Sequence, residues 1–222
     1  MNTTWTLEAD AQRLANRRLL AGLCLVGAIG VVFVAVNALP YLRVTEEQFR
    51  FYWPRRWWLL LHLASGTVAL LSGPVQLWLG LTARRLHLHR RLGMTYAASV
   101  AVSASAAYYL AFHTDLGWVF GAGLSGLATA WILTTGLALV AIRRQLYEQH
   151  KEWMIRSYVV TTAFVSFRVL FEALEAAGVG TIGERLAAAA WFCWAVPLLV
   201  TEVILQGRKI AAREQRGPMR AG

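Results

Sequence analysis

The chain has 222 residues, 57% of them hydrophobic and only 15% charged, with a mean hydropathy of +0.46; a water-soluble domain would not expose so much hydrocarbon. The formal net charge of +10 would suit nucleic acid if the cations shared one folded face, but they stand between long apolar runs, which excludes nucleic-acid binding and points to a membrane. There is no GxxxxGKS phosphate loop, HExxH or GxSxG elbow, so nothing suggests nucleotide-driven transport or serine hydrolysis.

Six runs of roughly 20 residues or more are long enough to cross a hydrocarbon core as helices. The first, 19–42, follows Arg17 and Arg18 and is too long for a signal-peptide core, so it reads as an anchor. A loop follows that holds Arg43, Glu46, Glu47, Arg50, Arg55 and Arg56. Its FYWPRRWW (51–58) fits an interfacial belt of aromatic anchors. The second run, 57–81, carries His62 and Gln76. The loop ARRLHLHRRLG (83–93) leads into the third, 92–112, which carries Tyr96, Tyr108 and Tyr109 and ends near His113. The fourth, 117–142, places Gly117, Gly121, Ser125 and Thr129 four residues apart, a stripe that lets a neighbouring helix approach. The fifth, 153–177, carries Arg156, Tyr158, Arg168, Glu172 and Glu175, and the sixth is 185–206. Cys24 and Cys193 lie in apolar runs at different depths and read as small buried residues without a disulfide.

The N-terminal tail, the 2–3 and 4–5 loops and the C-terminal tail together hold fifteen Lys or Arg, against five on the other side. The positive-inside bias therefore puts both termini in the cytoplasm and makes ARRLHLHRRLG a cytoplasmic loop that meets anionic headgroups. The fold expected is all-α: a polytopic membrane bundle of six transmembrane helices, with residues 1–222 in one integral membrane domain.

Charge inside a membrane is costly and defaults to a functional reading. At about 1.5 Å rise per residue, His62 lies roughly 7–8 Å below the outer end of the second helix. Two polar levels are expected. An outer one would gather His62, Arg168 and Glu172 with Tyr108 or Tyr109. An inner one would gather Gln76, His89, Tyr96, His150 and Arg156. Arg168 and Glu172, spaced i, i+4, can form an intramembrane charge pair if their face looks into the bundle; the same pair can merely fix helix register. His62 fits a haem axial ligand, a proton relay or a hydrogen-bonded interhelical bridge. His87 and His89 splay by about 200° on a helix, which disfavours a joint H-x-H metal site. His89 and His150 each open a helix at the inner level, where they can face one metal or haem iron, or titrate near neutral pH.

HLASGTVALLSGPVQLW (62–78), LHRRLGMTY (88–96), AWILTTGLALVAIRR (130–144) and HKEWMIRSYVVTTAFVSFR (150–168) resemble a family. It is the bacterial predicted membrane proteins catalogued as domain of unknown function 2306, and the likeness covers about 57–175. Gly66, Gly73, Gly93, Trp131, Trp153 and Tyr158 match its pattern beside His62, Gln76, His89, Tyr96, His150, Arg156 and Arg168; Glu172 and Glu175 do not belong to it. The resemblance implies a polytopic protein of the bacterial inner (cytoplasmic) membrane and no known activity.

Three functions follow as expectations. The leading one is a b-type haem or quinone-linked redox membrane protein, with histidines at both levels and arginines suited to propionates or a quinone headgroup. The likeness to di-haem b cytochromes is slight, since only His62 lies clearly within a span. The second is a small-molecule or proton-coupled transporter using the intramembrane charges, with broken helices signalled at Gly73-Pro74 and Pro197. The third is a non-catalytic accessory or assembly subunit that docks on another membrane subunit through small-residue helix faces.

Overall fold

A computed structural model describes residues 3–82 and 85–215, with side chains described from 14 to 213 within those stretches. Of the cations counted by loop, Arg13, Arg84, Arg216 and Arg220 lie outside the described side chains. The described residues form helices and no strand: α1 Thr3–Asn37, α2 Glu46–Phe49, α3 Arg56–Leu81, α4 Leu86–Phe112, α5 Trp118–Arg143, α6 Tyr147–Thr161, α7 Ala163–Ala176 and α8 Ile182–Gln215, with 3-10 turns at Leu39–Arg43 and Arg50–Arg55.

Among the described residues four stretches are long and apolar enough to cross a membrane: Leu14–Arg43, Glu46–Leu81, Trp118–Arg143 and Ile182–Arg213. The third expected run lies on α4, which has 27 residues. Its first turns carry His87, His89, Arg90 and Arg91 and its middle is rich in Ala and Ser, which dilutes its apolar character. The fifth run differs from the continuous helix expected. It is divided at Thr162 into α6 and α7, of 15 and 14 residues. Thr162 Oγ1 donates to Val159 O at 2.7 Å and Thr161 Oγ1 to Ser157 O at 2.9 Å, so two adjacent hydroxyls compete for the carbonyls of the preceding turn. Conversely, α3 runs unbroken through Pro74 and α8 through Pro197, where breaks were expected.

The chain divides into two compact units, Met1–Ser103 and Ala104–Gly222, with α4 continuing through the boundary. In the first unit α1 lies along α3. The Cβ position of Gly30 is 3.5 Å from Leu71 Cδ2 and 3.6 Å from Leu70 Cγ, ordinary van der Waals distances that mark where the two helices touch. The segment between the two helices folds on its own aromatics. Phe49 is buried edge-on to Tyr41, ring centres 5.1 Å apart, and to Trp53 at 6.1 Å, while the Arg56 guanidinium sits 4.4 Å above the Trp53 ring. This explains the density of FYWPRRWW, with Trp57 and Trp58 left exposed as an interfacial belt requires.

In the second unit α5 and α6 run antiparallel and are laced together. Trp131 Nε1 donates to Thr161 Oγ1 at 2.9 Å, Thr135 Oγ1 and Ser157 Oγ share a hydrogen bond at 2.7 Å, and His150 Nδ1 lies 2.9 Å from Ala138 O. From the first rung to the second both helices move by four residues, one turn; to the third, α5 advances three and α6 recedes seven. The 117–129 stripe lies against the end of α4: a Cβ on Gly121 would stand 2.7 Å from Ala111 O, and Tyr108 and Thr129 share a 2.6 Å hydrogen bond. The closest approach to α8 uses glycines one helix face away. A Cβ on Gly123 would stand 2.9 Å from Ala190 Cβ and 3.1 Å from its backbone carbon, and one on Gly126 3.0 Å from Trp194. α8 itself begins with a capping box: Thr181 N donates to Glu184 Oε2 at 2.7 Å and Glu184 N to Thr181 Oγ1 at 3.4 Å.

Gly123→Ala therefore forces α5 and α8 apart, whereas Gly136→Ala, on the same helix with nothing within 4 Å of its Cβ position, does not. The expected outcome is a loss of about 1–3 kcal/mol for Gly123→Ala and none for Gly136→Ala, read from thermal unfolding in detergent micelles.

Candidate functional site

His62 sits two turns into α3, and its ring is buried against Ser103 of α4. Its Nδ1 is 3.0 Å from both Ser103 O and Ser103 Oγ, and Ser103 Oγ donates to His62 O at 3.0 Å. The hydroxyl proton is thus directed at the His62 carbonyl. Since Ser103 O can only accept, the proton of a neutral ring belongs on Nδ1.

Near the other end of α3, Gln76 and His89 interlock. Gln76 Nε2 donates to His89 O at 2.8 Å, across the gap between α3 and α4. The amide reaches that carbonyl only because position 93 is glycine: a Cβ there would stand 2.6 Å from Gln76 Nε2. Reciprocally, the His89 ring enters the space left by Gly80, whose Cβ position is 2.9 Å from His89 Cε1. Each helix thus presents a polar side chain and, four residues on, a glycine that receives the other's. Tyr96, two turns beyond His89, is fully buried. His87, by contrast, is exposed, in keeping with the splay expected of H-x-H on a helix.

In the second unit His150 repeats the arrangement of His62. Its Nδ1 faces Ala138 O at 2.9 Å, a carbonyl that can only accept, so Nδ1 carries a proton here too. One and a half turns along α6, the Arg156 side chain is only 7% exposed. Its Nε and Nη2 donate to Glu202 Oε2 at 2.8 and 2.5 Å, its Nη1 lies 3.6 Å from Glu152 Oε2, and its guanidinium stacks 4.7 Å over Trp153. Lys209 Nζ donates to Glu152 Oε2 at 2.7 Å and Gln206 Nε2 to Glu202 Oε1 at 2.6 Å. Four alternating charges, Glu202, Arg156, Glu152 and Lys209, tie α6 to α8 with no net charge. Arg156 was expected as a cofactor-binding cation; its fork is engaged by these two carboxylates.

Arg168 and Glu172 do form the i, i+4 pair, with Nε to Oε1 at 3.2 Å. Their face does not look into the helix packing of α7: the side chains are 54% and 64% exposed. Phe164 and Phe167 turn inward instead, onto Trp131 and Phe120. His113 is exposed and stacks on Tyr109, ring centres 4.2 Å apart.

The two expected polar levels each draw residues from both units. Within the first unit the structure joins Gln76 to His89 and seats His62 on Ser103. Within the second it ties His150 to α5 and Arg156 to α8. Among the described residues no three His, Cys, Asp or Glu side chains assemble as a metal site; Cys24 and Cys193 are free thiols, Cys193 buried as expected and Cys24 exposed where burial was expected. The sequence reading passed over Glu202, Glu152, Lys209 and Ser103. Glu202 had a signal, a carboxylate inside the apolar run AVPLLVTEVIL. Ser103 had none, because a serine among alanines is common in any membrane helix.

Removing Glu202 leaves the buried Arg156 with only the more distant Glu152, whereas removing Arg156 leaves a carboxylate that is 41% exposed and can hydrate. Glu202→Ala is therefore expected to destabilise more than Arg156→Leu. The loss should be about 1–3 kcal/mol, below the ~3–5 kcal/mol of a fully buried pair because Glu202 keeps contact with solvent. Unfolding in mixed micelles of rising SDS fraction measures both.

Neither a curated protein nor a solved structure matches the chain. A family described as predicted membrane protein (DUF2306) matches residues 59–205, past the 57–175 stretch of the resemblance and far enough to include Glu202. With two thirds of its length matched, from His62 through the Arg156–Glu202 network, the chain belongs to the DUF2306 family of predicted membrane proteins.

Proposed function

We propose that the protein crosses the bacterial inner membrane six times with both termini in the cytoplasm, and that it is a b-type haem or quinone-linked redox protein. The excess of fifteen cations over five on alternate loops supports the orientation. With α4 as the third span and α6–α7 together as the fifth, the four most apolar stretches become six spans.

One observation carries the redox reading. His62 and His150 each commit Nδ1 to a main-chain carbonyl on another helix, at 3.0 and 2.9 Å. Iron-ligating histidines are held in this way, since the second bond fixes the ring's tautomer and direction and raises the basicity of the ligating nitrogen. The donor chemistry fits haem iron: two imidazole rings, each oriented before any ligand arrives by a bond from Nδ1 to a main-chain carbonyl. A haem bound there supplies reversible one-electron transfer. The chain's own residues do the rest. Ser103 holds the His62 ring, Ala138 holds the His150 ring, and the Gln76–His89 interlock sets the start of α4 against α3. Neither Arg156 nor Arg168 is assigned to a propionate, since each has a carboxylate. A pyridine haemochrome spectrum of protein purified from haem-replete cells tests the reading. An α-band is expected in the wild type and its loss in His62→Ala; a wild type with no Soret absorbance above background refutes it.

A second reading, a proton-coupled transporter, is favoured by the division of the fifth run at Thr162, six residues from Arg156. Interrupted helices near charged side chains are how carriers build midplane sites. Proton-driven uptake into proteoliposomes should then fall at least tenfold in Glu202→Gln and His150→Ala; the redox reading expects no uptake to lose.

A further inference from the structure

We propose that the outward face of α7 is an interface between two copies of this chain, joined by a ring of four charges. The inference rests on the six-span reading, which puts Arg168 and Glu172 inside the bilayer. Both side chains are more than half exposed, and among the described residues Glu172 is the one charged partner of Arg168, at 3.2 Å from its Nε. A guanidinium has five N–H donors in a planar fork. Acyl chains offer those donors no acceptor, so a face of this kind is not left to lipid. The rest of the face is suited to a helix: beside the two charges it presents Val169, Ala173 and Ala176, all exposed and short, and Glu175, whose charge is met within the chain by Arg185 Nη1 at 3.7 Å. Such side chains let a second helix come close.

What covers the face must be neutral overall and must offer a carboxylate to Arg168 and a cation to Glu172. The face itself meets that description. A two-fold axis along the membrane normal sets two α7 helices side by side at one depth. Arg168 then meets the partner's Glu172, and Glu172 the partner's Arg168. Each guanidinium gains a second carboxylate, the four charges cancel, and the patch is complementary to itself as an isologous interface requires. A single turn separates the two charges on each helix, so both contacts form in one register.

The test uses the full chain with Cys24→Ala and Val169→Cys, which leaves the buried Cys193 as the other thiol. Membranes are oxidised with copper-phenanthroline, and disulfide-linked dimer is read on a non-reducing gel. A membrane-impermeant maleimide reports in parallel whether position 169 is shielded. The expected result is a shielded thiol and efficient dimer formation. Arg168→Glu alone and Glu172→Arg alone should each lower the dimer yield at least tenfold by opposing like charges. Co-expression of the two variants should restore it, which also shows that each single variant folds. A shielded thiol without dimer overturns the inference and leaves the six-span reading standing. A dimer indifferent to either reversal, or no restoration on co-expression, also overturns it. A thiol labelled freely from water removes the six-span reading, and the inference with it.

Discussion

Inside a bilayer a polar hydrogen has nowhere to go except another part of the protein, and the whole arrangement of polar side chains here answers to that constraint. Its clearest expression is the bond from an imidazole Nδ1 to a carbonyl of a neighbouring helix, made by His62 to Ser103 and by His150 to Ala138. A helical carbonyl already accepts one bond from its own ladder but has a second lone pair. Using it costs the helix nothing and satisfies the donor where water is absent. The same economy explains the hydroxyls: Ser103, Thr134, Thr161 and Thr201 all donate to carbonyls of the chain.

The bonds require helices to approach closely, and glycine makes the approach. The Gln76–Gly80 and His89–Gly93 pairs have the same i, i+4 spacing and face each other, so each glycine takes in the opposite polar side chain. On α5 the division of labour is finer. Gly121 faces the end of α4, while Gly123 and Gly126, round the helix, face α8. One helix thus serves two neighbours through two glycine stripes.

Much of this was legible in the sequence. Helicity and membrane character follow from the length of the apolar runs, and those rest on a physical cause that local sequence contains. The Arg168–Glu172 pair was legible because spacing on one helix is fixed by geometry. Its outward orientation was not, since which face of α7 is covered depends on Phe164 and Phe167 finding Trp131 and Phe120 on another helix. The break at Thr162 was hidden for a different reason. The sequence signals kinks by proline, and here the prolines are absorbed while two adjacent threonines divide the helix. Arg156 was found, but not Glu202, 46 positions away in the chain. Its partner could be chosen only by the packing of α6 on α8.

Polar pairs within the fold need not signal function, because pairs that fix register serve stability and specificity alone. The distinction lies in what a side chain has left to offer once its structural bond is made. Trp131 has a single N–H, and in bonding Thr161 it is used up. Arg156 divides its fork between Glu202 and Glu152, and the alternating charges close on themselves at Lys209. An imidazole is different. Its Nδ1 bond to a carbonyl sets the plane and direction of the ring, and a ring so oriented suits a metal ligand or a proton acceptor as well as a bridge between two helices. By that criterion the tryptophan rung and the charge network belong to the frame, and His62 and His150 are the oriented rings on which the proposed function rests.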